Sequence, residues 1–511
     1  MLIKFLARTA SLFLIFYIFW CTSARAQDII SLIKEKRVST YFQEIRKNEA
    51  ELTAFISQMP KGGDLHNHYS GSIYAETYVN WLINADYCVN IYTLDIGKPD
   101  AQSTDTTHSF FRFSSLLSSK DASYMENLRN RLIRRWSTKE YEQVHSDARE
   151  EHFFATFGNF SAASGLNFSE GLKELKERAK KENTSYLEIM FSNIRCNFPD
   201  SQLHAISKKD TIKYYNELLK TLGKKRDTVS LKPVLQYLYS AILNYFPVND
   251  KARSVNQFVD SLHQHFIGDA DTAFTMRYLA FITRTGDPLN TFVNLVTAFE
   301  TVNQCTSGNL SGLNIVAPED DPVSMRDYWL HMQFFAFCKK MYGNVTYSMH
   351  AGELTEGVVQ PEELSWHINS AVIIAGANRI GHGVDIAYEK DNYSLLRYMS
   401  TNKIPVEINL LSNEFILGVK DDRHPVLLYK HFNVPIIIST DDPGVSRTSL
   451  TEQYVLLAKR YEEITYPDIK KYVYNSINFS FIKDQHLKEK LIQDIDRRFQ
   501  KFESYILALK P

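Results

Sequence analysis

The sequence predicts a (β/α)8 barrel of the TIM type, with an N-terminal helical extension and an insertion after the first strand. Three observations predict it. Six short apolar runs read as strands, Met276–Ile282, Gly312–Val316, Val345–Met349, Arg379–Gly381, Val406–Leu410 and Val434–Ile438, and adding Gly63–His68 and Tyr186–Phe191 gives eight. Helix-like segments such as Pro288–Val302, Arg326–Met341 and Pro361–Ala375 separate several of them, and this alternation with near-continuous apolar strands marks a parallel sheet. Eight such units argue for closure, and no glycine-rich GxGxxG turn follows a strand to favour an open doubly wound sheet.

Ahead of the barrel, Lys4 and Arg8 form a basic n-region, residues 10–20 an apolar h-region, and Ala24-Arg25-Ala26 a small-x-small cleavage site. Residues 1–26 therefore read as a signal peptide, and the mature chain as starting near Gln27; an uncleaved anchor helix is the alternative, and the apolar core is short for one. Residues 27–58 carry Ile29, Ile30, Leu32, Ile33, Tyr41, Phe42 and Ile45 at helical spacing. Met59-Pro60-Lys61-Gly62-Gly63 breaks that helix and leads into the first strand. The barrel domain then occupies residues 59–511. Within it, residues 85–150 read as a polar insertion holding one helix over Asp121–Arg135, residues 204–272 as mostly helical, and residues 468–511 as helices that pad the barrel.

Composition sets the outer limits. The 511 residues are 44% hydrophobic and 23% charged, as in soluble globular proteins. With 58 basic against 59 acidic residues, there is no surplus to attract nucleic acid and no like-charge tail. No later stretch reaches transmembrane length, so no stable membrane anchor is expected. Cys88, Cys196, Cys305 and Cys338 form no CxxC pair, which argues against a cysteine zinc site and leaves their pairing open.

Four strings carry chemistry, each at the expected C-terminal end of a strand, where barrels build active sites. His66 and His68 lie two apart on a strand and so point the same way; two polar residues at a strand end are the plain alternative. His350 with Glu353 suits a ligand beside an acid, and Gly352 allows close approach of a substrate. His382, between Gly381 and Gly383, has room to face a cavity; a surface histidine in a tight turn is its alternative. Asp441 and Asp442 are adjacent acids that repel unless a cation takes one, although Asp442 before Pro443 also suits a helix N-cap. Jointly the strings supply imidazoles and carboxylates for a metal-activated water attacking a polar carbon.

The strings Leu65-His66-Asn67-His68, Gly71-Ser72, His350-Ala351-Gly352-Glu353, Arg379-Ile380-Gly381-His382-Gly383, Leu411-Ser412-Asn413 and Ser439-Thr440-Asp441-Asp442-Pro443, in this order over about residues 59–455, resemble the adenosine deaminase family of metal-dependent amidohydrolases. The exported start and helical lead-in are similar to its secreted, growth-factor-related branch. The resemblance implies zinc-dependent hydrolytic deamination of adenosine and 2′-deoxyadenosine to inosine and ammonia. It implies one zinc ion held by His66, His68, His350 and Asp441, with a lowered water pKa. Glu353 would protonate the purine ring beside the attacked carbon. His382 would orient the water as base or electrostatic partner. Asp442 would bond the imidazole-ring nitrogen of the purine, and Asp441 would also help move a proton. His68, Ser70 and Ala317 would complete the substrate site.

This chain departs from the family pattern at three places. Tyr69-Ser70-Gly71 replaces Leu-Asp-Gly, whose acid binds a ribose hydroxyl. Asn314-Ile315-Val316-Ala317-Pro318-Glu319 sets Ala317 where the family has a glycine whose amide contacts the purine. Cys-Pro-x-Ser-Asn is reduced to Leu411-Ser412-Asn413. A deaminase of adenine or a modified aminopurine is thus a second reading, and a secreted binding or signalling protein on a deaminase scaffold a third. Partners implied are a small purine nucleoside and a second copy of the chain docked through the N-terminal helices, in a secreted or periplasmic location.

Overall fold

The computed structural model describes residues 32–101, 109–144, 148–196, 208–271 and 273–509. The expected signal peptide lies outside them. All eight expected barrel strands are present: β1 Gly62–His68, β2 Thr184–Asn193, β3 Thr275–Thr283, β4 Leu310–Val316, β5 Ser348–Ala351, β6 Arg379–His382, β7 Val406–Ile408 and β8 Ile436–Ile438. β1 to β4 pair in parallel in chain order, and so do β5 to β8. Two joints unite the halves, a bridge from Leu313 to Tyr347 and one from Asn67 to Asp441. At the second joint the Asp441 N–H donates to the His66 carbonyl at 2.9 Å, and the His68 N–H to the Asp441 carbonyl at 3.0 Å.

Some local expectations shift. β7 ends at Ile408, and Leu410 opens the helix Leu410–Leu417. The helix expected over residues 361–375 is three short pieces, Glu363–Ser365, His367–Asn369 and the π-helical Ser370–Ala375. That irregularity brings His367 Nδ1 to 2.7 Å from Glu319 Oε1 and lays its ring on Tyr328, with ring centres 3.8 Å apart. Between β1 and β2 sits a small antiparallel sheet of Cys88–Asn90, Ile96–Gly97 and Phe110–Arg112. Strands of two or three residues are too short to show a period in sequence. The helix Ala122–Arg135 follows, capped by Asp121 on the Tyr124 N–H at 2.8 Å. Between β2 and β3 the helices Lys209–Lys225, Thr228–Tyr245 and Val248–Leu262 form an added layer.

Helices over residues 32–45 and Glu49–Gln58 pack on Tyr466–Asn478 and Gln485–Leu509. Phe42, Phe55, Tyr466 and Phe502 form the contact, with Phe55 and Phe502 ring centres 4.9 Å apart. Buried Arg46 donates to the carbonyls of Ala458, Tyr461 and Ile464 at 2.6–2.7 Å, which satisfies the end of the helix Leu450–Arg460. The four cysteines among the described residues are free thiols. No helix among the described residues is long and apolar enough to cross a membrane.

The barrel interior is not uniformly apolar. Arg379 of β6 is buried between Glu188 of β2 and Glu407 of β7, bonding both carboxylates, and its guanidinium lies 3.6 Å from the centre of the Phe481 ring. Phe481 N–H and Tyr186 OH each donate to Glu188 Oε2 at 2.8 Å. Breaking a buried charge network leaves an unpaired charge, at a cost of about 3–5 kcal/mol. Arg379→Met should therefore lower stability by about that amount, seen as a lower denaturation midpoint in urea. An unchanged midpoint would contradict the internal pairing.

Candidate active site

Barrel closure gathers residues from both ends of the chain. His66 and His68 arrive on β1, His350 on β5, and Asp441 just past β8. His66 Nε2 is 3.1 Å from His350 Nε2 and 3.4 Å from Asp441 Oδ1; His68 Nε2 is 3.3 Å from His350 Nε2 and 3.2 Å from Asp441 Oδ1. Second bonds set the tautomers. His66 Nδ1 faces Glu407 Oε2 at 2.7 Å, and His350 Nδ1 faces Asn314 Oδ1 at 3.1 Å. Both Nδ1 atoms face acceptors, which places their hydrogens there and leaves bare Nε2 lone pairs directed at one another. Lone pairs this close repel unless a positive charge lies between them. Donor atoms about 2.0–2.2 Å from one ion, at angles of roughly 90–120°, stand about 3.0–3.6 Å apart, the spacing found here. Three imidazoles and one carboxylate fit a first-row divalent cation.

The electrostatics agree. Burial works against a charged His66, but Asp441 and Glu407 outweigh it and raise the imidazole to about 10. Burial and the neighbouring imidazoles push His350 well below its ordinary value. The two carboxylates thus favour a positive charge at His66, as a proton or as a bound cation in its place. Glu407 is itself held at about 2 against its burial, by Arg379 and His66. Gly381 lets the His66 ring in, since a Cβ there would lie 2.6 Å from His66 Cε1.

The remaining expected residues surround the cluster. Their cavity, about 350 Å3, is lined by His68, Ser70, Ala317, His350, Glu353, His382, Asp441 and Asp442. The helix Arg149–Asn159 and its end supply an aromatic wall of Phe153, Phe154, Phe157 and Phe160. Glu353 is buried, and burial together with Asp441 raises its carboxyl well above the ordinary range, which favours its protonated form. Its loop is clamped: Glu319 accepts from the Gly352 and Glu353 N–H groups at 3.1 and 2.9 Å, and Arg284 donates to the His350 carbonyl at 2.7 Å. Asp441 Oδ2 accepts from Ser412 Oγ at 2.6 Å.

Asp442 starts no helix, which removes the N-cap alternative; the next helix begins at Leu450. It is buried, with Oδ1 unpartnered, and burial and Asp441 raise its carboxyl well above the ordinary range. Gly71 makes room for it, since a Cβ there would fall 1.6 Å from Asp442 Oδ1. His382 is fully buried, which removes the surface-turn alternative. Ala317, His382 and Asp441 all hold positive φ, at 88°, 67° and 65°. Such backbone costs on the order of 1–3 kcal/mol per residue and gathers at functional sites.

Sequence reasoning assigned no roles to Glu188, Glu407, Asn314, Glu319, Ser412 or Asn413, which support the cluster from behind. A signal was present for two of them. Glu188 and Glu407 are charged residues in the middle of apolar strand-like runs, and a charge buried there must have partners.

An eight-stranded barrel with a His/Asp cluster that could hold a metal ion at its strand ends is the arrangement of the amidohydrolase superfamily. The chain belongs to its adenosine deaminase family, whose model, described as adenosine deaminase, matches residues 244–498. Adenosine deaminase of Clostridium kluyveri is 32% identical over 182 residues, which is 35% of this chain and 46% of that protein, so the chain spans less than half of that relative's length. Among solved structures, Arabidopsis ADAL complexed with IMP aligns with TM-score 0.54 and 16% identity, over 88% of this chain and 99% of that one. The Arabidopsis N6-mAMP deaminase MAPDA aligns with TM-score 0.50 and 16% identity, over 87% and 99%. At that identity the two structures speak for the fold.

The support given by Glu407 is open to test. Glu407→Gln should weaken divalent-metal affinity about 10–100-fold, as loss of a partner to a ligating imidazole does. Competition against a chelating dye measures it, and unchanged affinity would contradict the assigned support.

Proposed function

We propose that the protein deaminates adenosine and 2′-deoxyadenosine hydrolytically, releasing inosine and ammonia, with zinc as the bound ion. One observation carries the reading: a single cavity holds Glu353, a carboxyl raised by burial and by Asp441, beside the converging Nε2 atoms of His66, His68 and His350. A zinc ion held by those imidazoles and Asp441 would lower the pKa of a bound water to near neutrality. The chain's own groups do the rest. Glu353 delivers its proton to the ring nitrogen next to the attacked carbon, so the ring can accept electron density. Asp442, with an unpartnered oxygen, bonds the imidazole side of the purine. The phenylalanine wall covers the base and excludes bulk water. Ser70 takes the place of a carboxylate at the sugar, and Asn193 also lines the cavity, with a buried and unpartnered Oδ1.

The basic and apolar segments ahead of residue 27 support an extracytoplasmic site of action. The adenine reading rests on Ser70, a neutral group where a sugar-binding acid would be expected.

Ammonia release from adenosine, 2′-deoxyadenosine and adenine tests the substrate. Turnover of both nucleosides is expected, and turnover of adenine alone would overturn the proposal. Glu353→Gln should keep the metal and lose about 100–10,000-fold in kcat, the usual contribution of a general acid. Wild-type activity in that variant would refute the assigned acid.

A further inference from the structure

His382 has two chemical options, and a chain of hydrogen bonds behind it selects one. The chain starts at a donor that cannot change. The Val426 backbone N–H donates to His424 Nδ1 at 3.2 Å. That leaves His424 its hydrogen on Nε2, which faces Asn413 Oδ1 at 3.2 Å. With its oxygen so engaged, Asn413 turns its Nδ2 to His382 Nδ1 at 2.9 Å. An amide nitrogen donates and does not accept, so His382 Nδ1 is bare. Asn409 Nδ2 lies 3.4 Å from the same Nδ1, and Glu353 Oε1 lies 3.5 Å from it. His382, Asn413 and His424 are all buried, so water does not compete with the relay.

We infer that His424 and Asn413 are positioning residues that lock His382 as the neutral Nε2–H tautomer, making it a hydrogen-bond donor and neither a metal ligand nor a base. Its ring stands close to His66, His350 and Asp441, near enough to be counted with them as a ligand set. The only lone pair on the ring is taken by Asn413, however, and the ion is left to His66, His68, His350 and Asp441. His382 Nε2 is buried and has no hydrogen-bond partner among the described residues. Its hydrogen is directed to an oxygen that the protein does not supply, which, on the function proposed above, is that of the attacking water. Of the two roles the sequence left open for His382, the relay selects the electrostatic one.

The polarity of the relay can be reversed without a large change of shape. In His424→Gln the amide both accepts from Val426 and donates to Asn413, so kcat should stay within about threefold of wild type. In His424→Glu the carboxylate accepts, Asn413 turns over, and the His382 hydrogen moves to Nδ1. There kcat should fall about 100-fold, as for loss of one donor to the reacting oxygen, with KM and metal content unchanged. Asn413→Asp imposes the same reversal one link nearer and should act alike. Equal kcat in the Gln and Glu variants, both metal-loaded, would overturn the relay while leaving the deaminase reading intact. No ammonia from wild-type protein on any aminopurine would instead sink that reading. Histidine-selective 15N spectra of the wild-type holoenzyme decide the tautomer without any folding variant. A hydrogen on His382 Nε2 is expected, and one on Nδ1 would overturn the inference.

Discussion

The active site depends on how the barrel closes. Between β1 and the end of β8, two backbone hydrogen bonds join the His66–His68 stretch to Asp441. They fix the register of the first strand against the last. A slip of one residue would turn His66 and His68 to the opposite face and dissolve the cluster. The same joint places Asp442 over Gly71, where only a hydrogen fits. Closure and chemistry are therefore one constraint, and the left-handed backbone at Asp441 shows local strain where the two meet.

Behind the joint runs a line of charge. Glu188, Arg379 and Glu407 lead across the barrel interior to His66. Each is buried, and each has an opposite charge beside it, so the interior holds ions at a tolerable cost. The line ends by orienting the imidazole. Asn314 does the same for His350, and the His424–Asn413 relay for His382. Three histidines of similar appearance are thus given different lone pairs by what stands behind them. On the proposed function, two would offer Nε2 to an ion and the third a hydrogen.

Much of this was legible in sequence. Period-two spacing put His66 and His68 on one face, and the unfavourable adjacency of Asp441 and Asp442 implied separate partners. Most of the eight strands were readable as apolar runs, and the first, Gly62–His68, by the Pro-Gly break before it and its His-x-His end. What stayed hidden depends on contacts between distant positions. Asn413 lies on the helix Leu410–Leu417 and His424 in the segment after it, yet only the fold brings Asn413 against His382. The broken helix around His367 reflects a tie to Glu319 that no local pattern announces. The family match begins at residue 244, so β1, which carries His66, His68 and Ser70, lies outside it. For those residues the sequence motif and the closed barrel carry the argument.

The central claim is that one cation is held by His66, His68, His350 and Asp441 while His382 stands outside its coordination. Anomalous diffraction at the zinc edge, from crystals of protein purified with its metal, tests this most directly. The account predicts one peak per chain, within about 2.0–2.2 Å of those four donor atoms and beyond bonding distance of both His382 nitrogens. A peak bonded to His382, or no peak among these residues, would contradict it.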